Sequence, residues 1–134
     1  MSLRISLRDG EKLIINGAVL RATGRTQFVI ENQVSVLRDR EIMAPEEATS
    51  PARRLYFACM MAYIDSNHIS EHHDRIVELL RDLLGALQAE EARAACIRFA
   101  SQVAVSDFYR ALAECRTLIR YETEALARLE TQAS

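Results

Sequence analysis

A chain of 134 residues, 49% hydrophobic and 27% charged, is long enough to bury one hydrophobic core and sits near globular averages, which excludes wholesale disorder. Its longest unbroken apolar run, Leu55–Ile64, has ten residues where a membrane-spanning helix needs roughly 20, and the N-terminal MSLRISLRDG carries charges where a secretory signal needs an apolar stretch. The net charge of −2 is unevenly spread, with nine Lys/Arg against seven Asp/Glu in residues 1–54 and eight against twelve in residues 55–134, so the expectation is a cytoplasmic protein, with no membrane association and a mildly basic front.

Leu3, Ile5 and Leu7 alternate with Arg4, Ser6 and Arg8, which predicts a half-buried first strand. In GEKLIINGAVL, residues 10–20, the pair Asn16-Gly17 supplies the two positive-φ positions of a type I′ turn between strands Lys12–Ile15 and Ala18–Arg21. Gly24 then separates Ala18–Ala22 from Thr26–Glu31, and Asn32-Gln33 separates that run from Val34–Arg38, giving about five short strands in a meander.

After Met43 the period changes. Ser50 followed by Pro51 is a cap with proline at the first helical position, and predicts a helix through Ile64. Ser70, with Glu71 and Asp74 behind it, opens a second helix whose inner face is Ile69, His73, Ile76, Leu80, Leu83 and Leu87. A third helix covers about Glu91 to Val103. The fourth, opened by Ser106 or Asp107, runs through Leu112, Cys115, Ile119, Leu126 and Leu129. The expected fold is therefore α+β: residues 1–43 form a small antiparallel β-unit, and residues 44–134 form about four helices packed on it, together one compact domain.

Few of the chemistry-bearing residues form a site. Cys59, Cys96 and Cys115 are widely spaced within apolar helical patterns, as reduced core thiols would be. His68 and His72 have the i, i+4 spacing of two metal ligands, but that is half a site, and SEHHD misplaces the glutamate for zinc hydrolysis; with His73 they read as a solvated helix start, so no metal is expected. The dispersed glycines build no phosphate cradle and no nucleophile elbow is present, so neither an enzyme nor a cofactor is expected.

What remains is a set of arginines on the β-unit: Arg4, Arg8, Arg21, Arg25, Arg38 and Arg40. The planar guanidinium fork suits phosphates and base edges, and six of them on so small a sheet can make an edge that holds nucleic-acid backbone. Single-stranded RNA fits better than duplex DNA, because the helical half has no recognition helix with clustered basic residues. Phe28 is the one aromatic residue in this stretch, so binding would lean on arginine and main-chain contacts.

The segments GEKLIINGAVL at 10–20, IMAPEEATSPARRLYF at 42–57 and DFYRAL at 107–112 closely resemble the FlbT family of flagellin-expression regulators of alphaproteobacteria, over essentially the whole chain. The resemblance implies a post-transcriptional repressor that binds the 5′ untranslated region of flagellin mRNA and blocks its translation or promotes its decay. The β-unit also resembles the carbon-storage regulator family CsrA, in Gly10-Glu11-Lys12-Leu13-Ile14-Ile15 and in Val34-Ser35-Val36-Leu37-Arg38 followed by Asp39-Arg40-Glu41-Ile42. That likeness implies a homodimer, an intertwined one in CsrA, that holds RNA on its first and last strands, with Arg38 or Arg40 as the key arginine because one extra residue precedes Glu41-Ile42. The alternative is a protein-binding adaptor whose acidic helical half grips flagellin or another flagellar regulator. If the β-unit were not the RNA platform, Arg53 and Arg54 would be the next choice.

Overall fold

The structure, a computed structural model, describes residues 2–133, with side chains through Thr131. Among the described residues five strands, all paired antiparallel, precede four α-helices, so the α+β expectation is met. The chain divides into two units: Met1–Ile42 with Ile64–Ser66, and Met43–Tyr63 with Asn67–Ser134.

The β-unit contains β1 (Leu3–Leu7), β2 (Lys12–Ile15), β3 (Ala18–Arg21), β4 (Thr26–Ile30) and β5 (Val36–Arg38). Asn16 at φ 49 and Gly17 at φ 86 form the expected turn, and the two-residue loop fixes the β2–β3 register at Lys12 opposite Arg21 and Ile15 opposite Ala18. The expected meander stops at this hairpin. β4 turns away from β3 and pairs with β1, while β5 joins the outer side of β2, so the sheets are β1–β4 and β3–β2–β5.

The cause lies just after β3. Ala22 spends its N–H on the Glu11 carbonyl (2.9 Å) and its carbonyl on Gly10 N–H (2.8 Å), and the Asp9 carboxylate accepts from Gly24 N–H at 2.7 Å. Gly24 itself is at φ +79, a corner that L-residues seldom make. The chain is thereby clamped to the β1–β2 loop and delivered to β1. β5 is shorter at its start than expected because Asn16 and Ser35 hold each other outside the ladder: Asn16 N–H donates to the Ser35 carbonyl (2.9 Å) and Ser35 N–H to Asn16 Oδ1 (3.0 Å). Ile5, Leu7, Leu13 and Ala22 form the small core, with Ile15, Ile30 and Val36 packed against it; each large side chain buried there contributes about 1.5–3 kcal/mol.

The helical unit begins where Ser50 and Pro51 place it. Helix α1 (Pro51–Ile64) has its Arg54 N–H on the Ser50 carbonyl (2.8 Å) and its Arg53 N–H on Ser50 Oγ (3.4 Å). A second cap comes from far along the chain: Glu122 accepts from Ala52 N–H at 2.9 Å and from the Ser50 hydroxyl, so a carboxylate sits at the positive end of α1. Helix α2 (Ile69–Ala86) buries Ile76 and Leu83, and His73, Leu80 and, just past its end, Leu87 are half-buried as the pattern anticipated, whereas Ile69 is exposed.

Helices α3 (Glu90–Ala104) and α4 (Phe108–Ala133) pack along each other. Between them Ser106 adopts φ 59, with Ser106 N–H on the Val103 carbonyl (2.9 Å) and Asp107 N–H on that of Gln102 (2.8 Å); it closes α3. Asp107 is the residue that opens α4, its Oδ1 accepting from Arg110 N–H at 3.3 Å. Leu55, Phe99, Leu112 and Leu118 are fully buried in this unit. No helix among the described residues is long and apolar enough to cross a membrane.

Candidate nucleic-acid interface

β1, β3 and β5 end, and β2 and β4 begin, at the same end of their sheets, and loops 8–11 and 22–25 are tied together by the hydrogen bonds of Gly10, Ala22 and Gly24. That topology sets the positions of the arginines. Arg8 follows β1, Arg21 ends β3, Arg25 precedes β4, Arg38 ends β5 and Arg40 lies in the 3-10 turn Asp39–Glu41; all are exposed. Five of the six sequence-predicted arginines are thus brought to the strand ends. Arg4 is not among them: it lies mid-strand on β1, opposite exposed Val29.

Lys12 belongs to the group, and the sequence reading did not single it out. It faces Arg21 directly across the β2–β3 ladder, two like charges in a position that costs a few tenths of a kcal/mol or more unless an anion lies between them. The signal was available, since a two-residue turn at 16–17 fixes residue 12 opposite residue 21.

The acidic residues interleaved with these cations are occupied by backbone groups. Glu11 Oε1 accepts from Arg8 N–H (2.6 Å), Asp9 from Gly24 N–H, Asp39 Oδ1 from Lys12 N–H (2.9 Å) and Glu41 Oε1 from Arg38 N–H (2.9 Å). These carboxylates shape the loops, and no ion pair engages the six arginines among the described residues. Among the described residues Arg38 alone of the six makes a side-chain hydrogen bond, a long one of 3.4 Å from Nη2 to the Ser6 carbonyl on β1. The first and last strands are therefore not ladder partners, but the arginine that ends the last strand reaches the first. The extra residue before Glu41-Ile42 is absorbed in the 3-10 turn. Its carboxylates fasten Lys12 and Arg38, and its Arg40 is left exposed. Phe28, across from Ile5, is partly exposed.

The remaining candidates fall elsewhere. Among the described residues no His, Cys, Asp or Glu group could hold a metal ion; His68 is exposed at the start of α2, and His72 and His73 are half-buried. The three thiols are free and buried. Desolvation pushes Cys59 up to about 12, and raises Cys96, where Arg93 opposes it. Cys115 is raised well above the ordinary thiol range, first by burial and then by its neighbours Cys59, Cys96 and Glu122. Such thiols are neutral packing groups near pH 7.

The family model described as "Flagellar protein FlbT" matches residues 3–126. The chain belongs to the FlbT family. A FlbT relative from Caulobacter sp. (strain K31), named a probable flagellum biosynthesis repressor protein, is 37% identical over 94% of this chain and 97% of its own. The flagellum biosynthesis repressor protein FlbT of Caulobacter vibrioides (strain ATCC 19089) is 35% identical over 100% of this chain and 96% of its own. A third, from Agrobacterium fabrum, is 33% identical over 96% of this chain and 87% of its own. No solved structure matches the chain.

Proposed function

We propose that this chain is a cytoplasmic repressor of flagellum biosynthesis that acts on mRNA, binding the 5′ untranslated region of flagellin transcripts through the basic end of its β-unit and blocking translation or promoting decay. Repression is what the names of the FlbT relatives state. The RNA step is supported by the cation group of Arg8, Lys12, Arg21, Arg25, Arg38 and Arg40, whose neighbouring carboxylates are taken up by backbone N–H groups. Guanidinium groups without carboxylate partners gain most from a phosphate, and a single strand can thread exposed loops that would not fit a duplex groove. Arg4 extends the surface along β1. The protein is a regulator with no catalytic step, cofactor or metal in its action.

Among the described residues β1 is laddered to β4 alone, so its other edge offers hydrogen-bonding groups to a second copy, in keeping with a homodimer. A gel-shift with the flagellin leader RNA tests the reading. Arg38→Ala is expected to weaken binding by about 1–3 kcal/mol with the melting temperature unchanged, and Arg40→Ala by a comparable amount. Full affinity in both variants would end the case for the β-unit as the RNA platform.

A further inference from the structure

Within the helical unit, α1 and α2 enclose a cleft of about 330 Å³ lined by Arg54, Phe57, Ala58 and Met61 from one helix and His72, Arg75 and Leu79 from the other. Both sets have helical spacing. Positions 54, 57, 58 and 61 form one stripe of α1, and 72, 75 and 79 form one stripe of α2, each about two turns, or roughly 10 Å, long. The floor is apolar, from Phe57, Ala58, Met61 and Leu79, and the exposed Arg54 and Arg75 make the rim cationic, with His72 also lining the cleft. None of the lining residues is a carboxylate, and the partner of Arg75 is Glu78, 3.4 Å away in an exposed i, i+3 pair that a competing anion can displace at little cost. This basic rim stands out in a half of the chain that is acidic as a whole.

We infer that the α1–α2 cleft is a docking site for an acidic amphipathic helix of a partner protein. Two parallel stripes with an apolar floor accept side chains at i and i+3 or i+4 of an incoming helix, and the flanking arginines select carboxylates beside those anchors. A cleft of about 330 Å³ has room for one or two large side chains of an incoming helix, the rest of which stays in solvent. The inference concerns the other unit from the one proposed to hold RNA and does not rest on that reading.

The probes are two synthetic peptides of about four helical turns with the same Leu and Phe anchors, one flanked by Glu and one by Lys, titrated into the full chain by fluorescence anisotropy. The Glu peptide is expected to bind saturably and more weakly as salt rises, and the Lys peptide at least about tenfold more weakly. Arg54→Glu/Arg75→Glu should reduce Glu-peptide affinity about tenfold or more and narrow the gap between the two peptides, while Val77→Glu, on α2 outside the cleft, changes neither. Met61→Glu, an independent variant that puts a carboxylate on the floor, should abolish binding; circular dichroism verifies that each variant folds. Equal binding of both peptides, or undiminished binding to the charge-reversed variant, overturns the proposal. So does a Glu peptide that fails to bind the wild type while the charge-reversed variant loses leader RNA, because the cleft would then be a nucleic-acid site.

Discussion

Arginine is used in opposite ways in the two units. In the helices several guanidinium groups are committed to structure: Arg98 pairs with Glu114 at 3.1 Å, Arg110 with Asp107 at 3.5 Å, Arg93 donates to the Leu84 and Leu87 carbonyls at 3.1 Å and so closes α2, and Arg116 donates to the Tyr56 hydroxyl at 3.2 Å. In the β-unit the carboxylates next to arginine bond to backbone N–H groups instead, and the guanidinium groups are left over. The lesson is that counting arginines says little about ligand binding. What matters is where the neighbouring acids spend their lone pairs, and the loops Asp9–Glu11 and Asp39–Glu41 spend them on amides.

The largest effect that would sharpen this contrast is alkaline. Cys59, Cys96 and Cys115 all lie in the helical unit, and the Cys59 thiol is raised to about 12 from an unfolded value of 9.0. A folded-state pKa above the unfolded one gives stability that is complete below pH 9 and is lost as pH climbs from 9 toward 12, at about 1.4 kcal/mol per pH unit for each such thiol, or about 4 kcal/mol for Cys59 alone. Denaturant melts of the helical signal at stepped pH should show that decline, and Cys59→Ala should flatten it. An unchanged slope in the variant would mean that the thiol is not the titrating group.

Next in size is Gly17→Val. Gly17 is at φ +86, and a Cβ there would come 3.1 Å from the Ile64 carbonyl oxygen, so a β-branched residue strains the turn and crowds a backbone atom. A loss of about 1–3 kcal/mol is expected, with RNA affinity falling as the β-unit loosens. A variant that melts early but binds leader RNA normally well below its melting temperature would break the link between the β-unit and RNA, and would move attention to Arg53 and Arg54.

A smaller change probes the other half of the contrast. Arg116→Ala removes the donor to Tyr56 and should cost about 1 kcal/mol of stability while leaving leader-RNA affinity intact, the reverse of Arg38→Ala. Equal effects on RNA from both variants would erase the distinction between structural and free arginines. Smallest of all, chelators should alter neither melting temperature nor RNA binding; stoichiometric zinc that purifies with the protein and disappears in His72→Ala would contradict that.

Local signals account for what was legible. Asn16-Gly17 gave the hairpin and its register, Ser50-Pro51 gave the start of α1 to the residue, and the 3.6-residue period gave the inner face of α2, because each of these is written within one turn or a few residues of chain. Strand partners were not legible. β1 with β4 and β2 with β5 are joined across some twenty residues, and the choice depended on where Asp9 and Glu11 send their hydrogen bonds, which no periodicity encodes. Ser106 was ambiguous for a related reason: serine fits a cap, but its left-handed φ assigns it to the end of α3 and leaves the cap to Asp107. At the candidate site the arginines themselves were legible and their clustering at one end was not, since it depends on the strand order.

The cap that Glu122 places on α1 has a consequence in time. A polypeptide is made from its N-terminus, and the ladder partners of the β-unit lie within residues 3–38, so all of its strand pairing is available early in synthesis. The amide of Ala52, in contrast, waits 70 residues for its carboxylate, and the buried side chains of α4 that complete the helical core are made later than those of every other element. On the ribosome the two units are therefore separated by the order of translation: the sheet that carries the free arginines can close on a nascent chain whose helices are still unfinished.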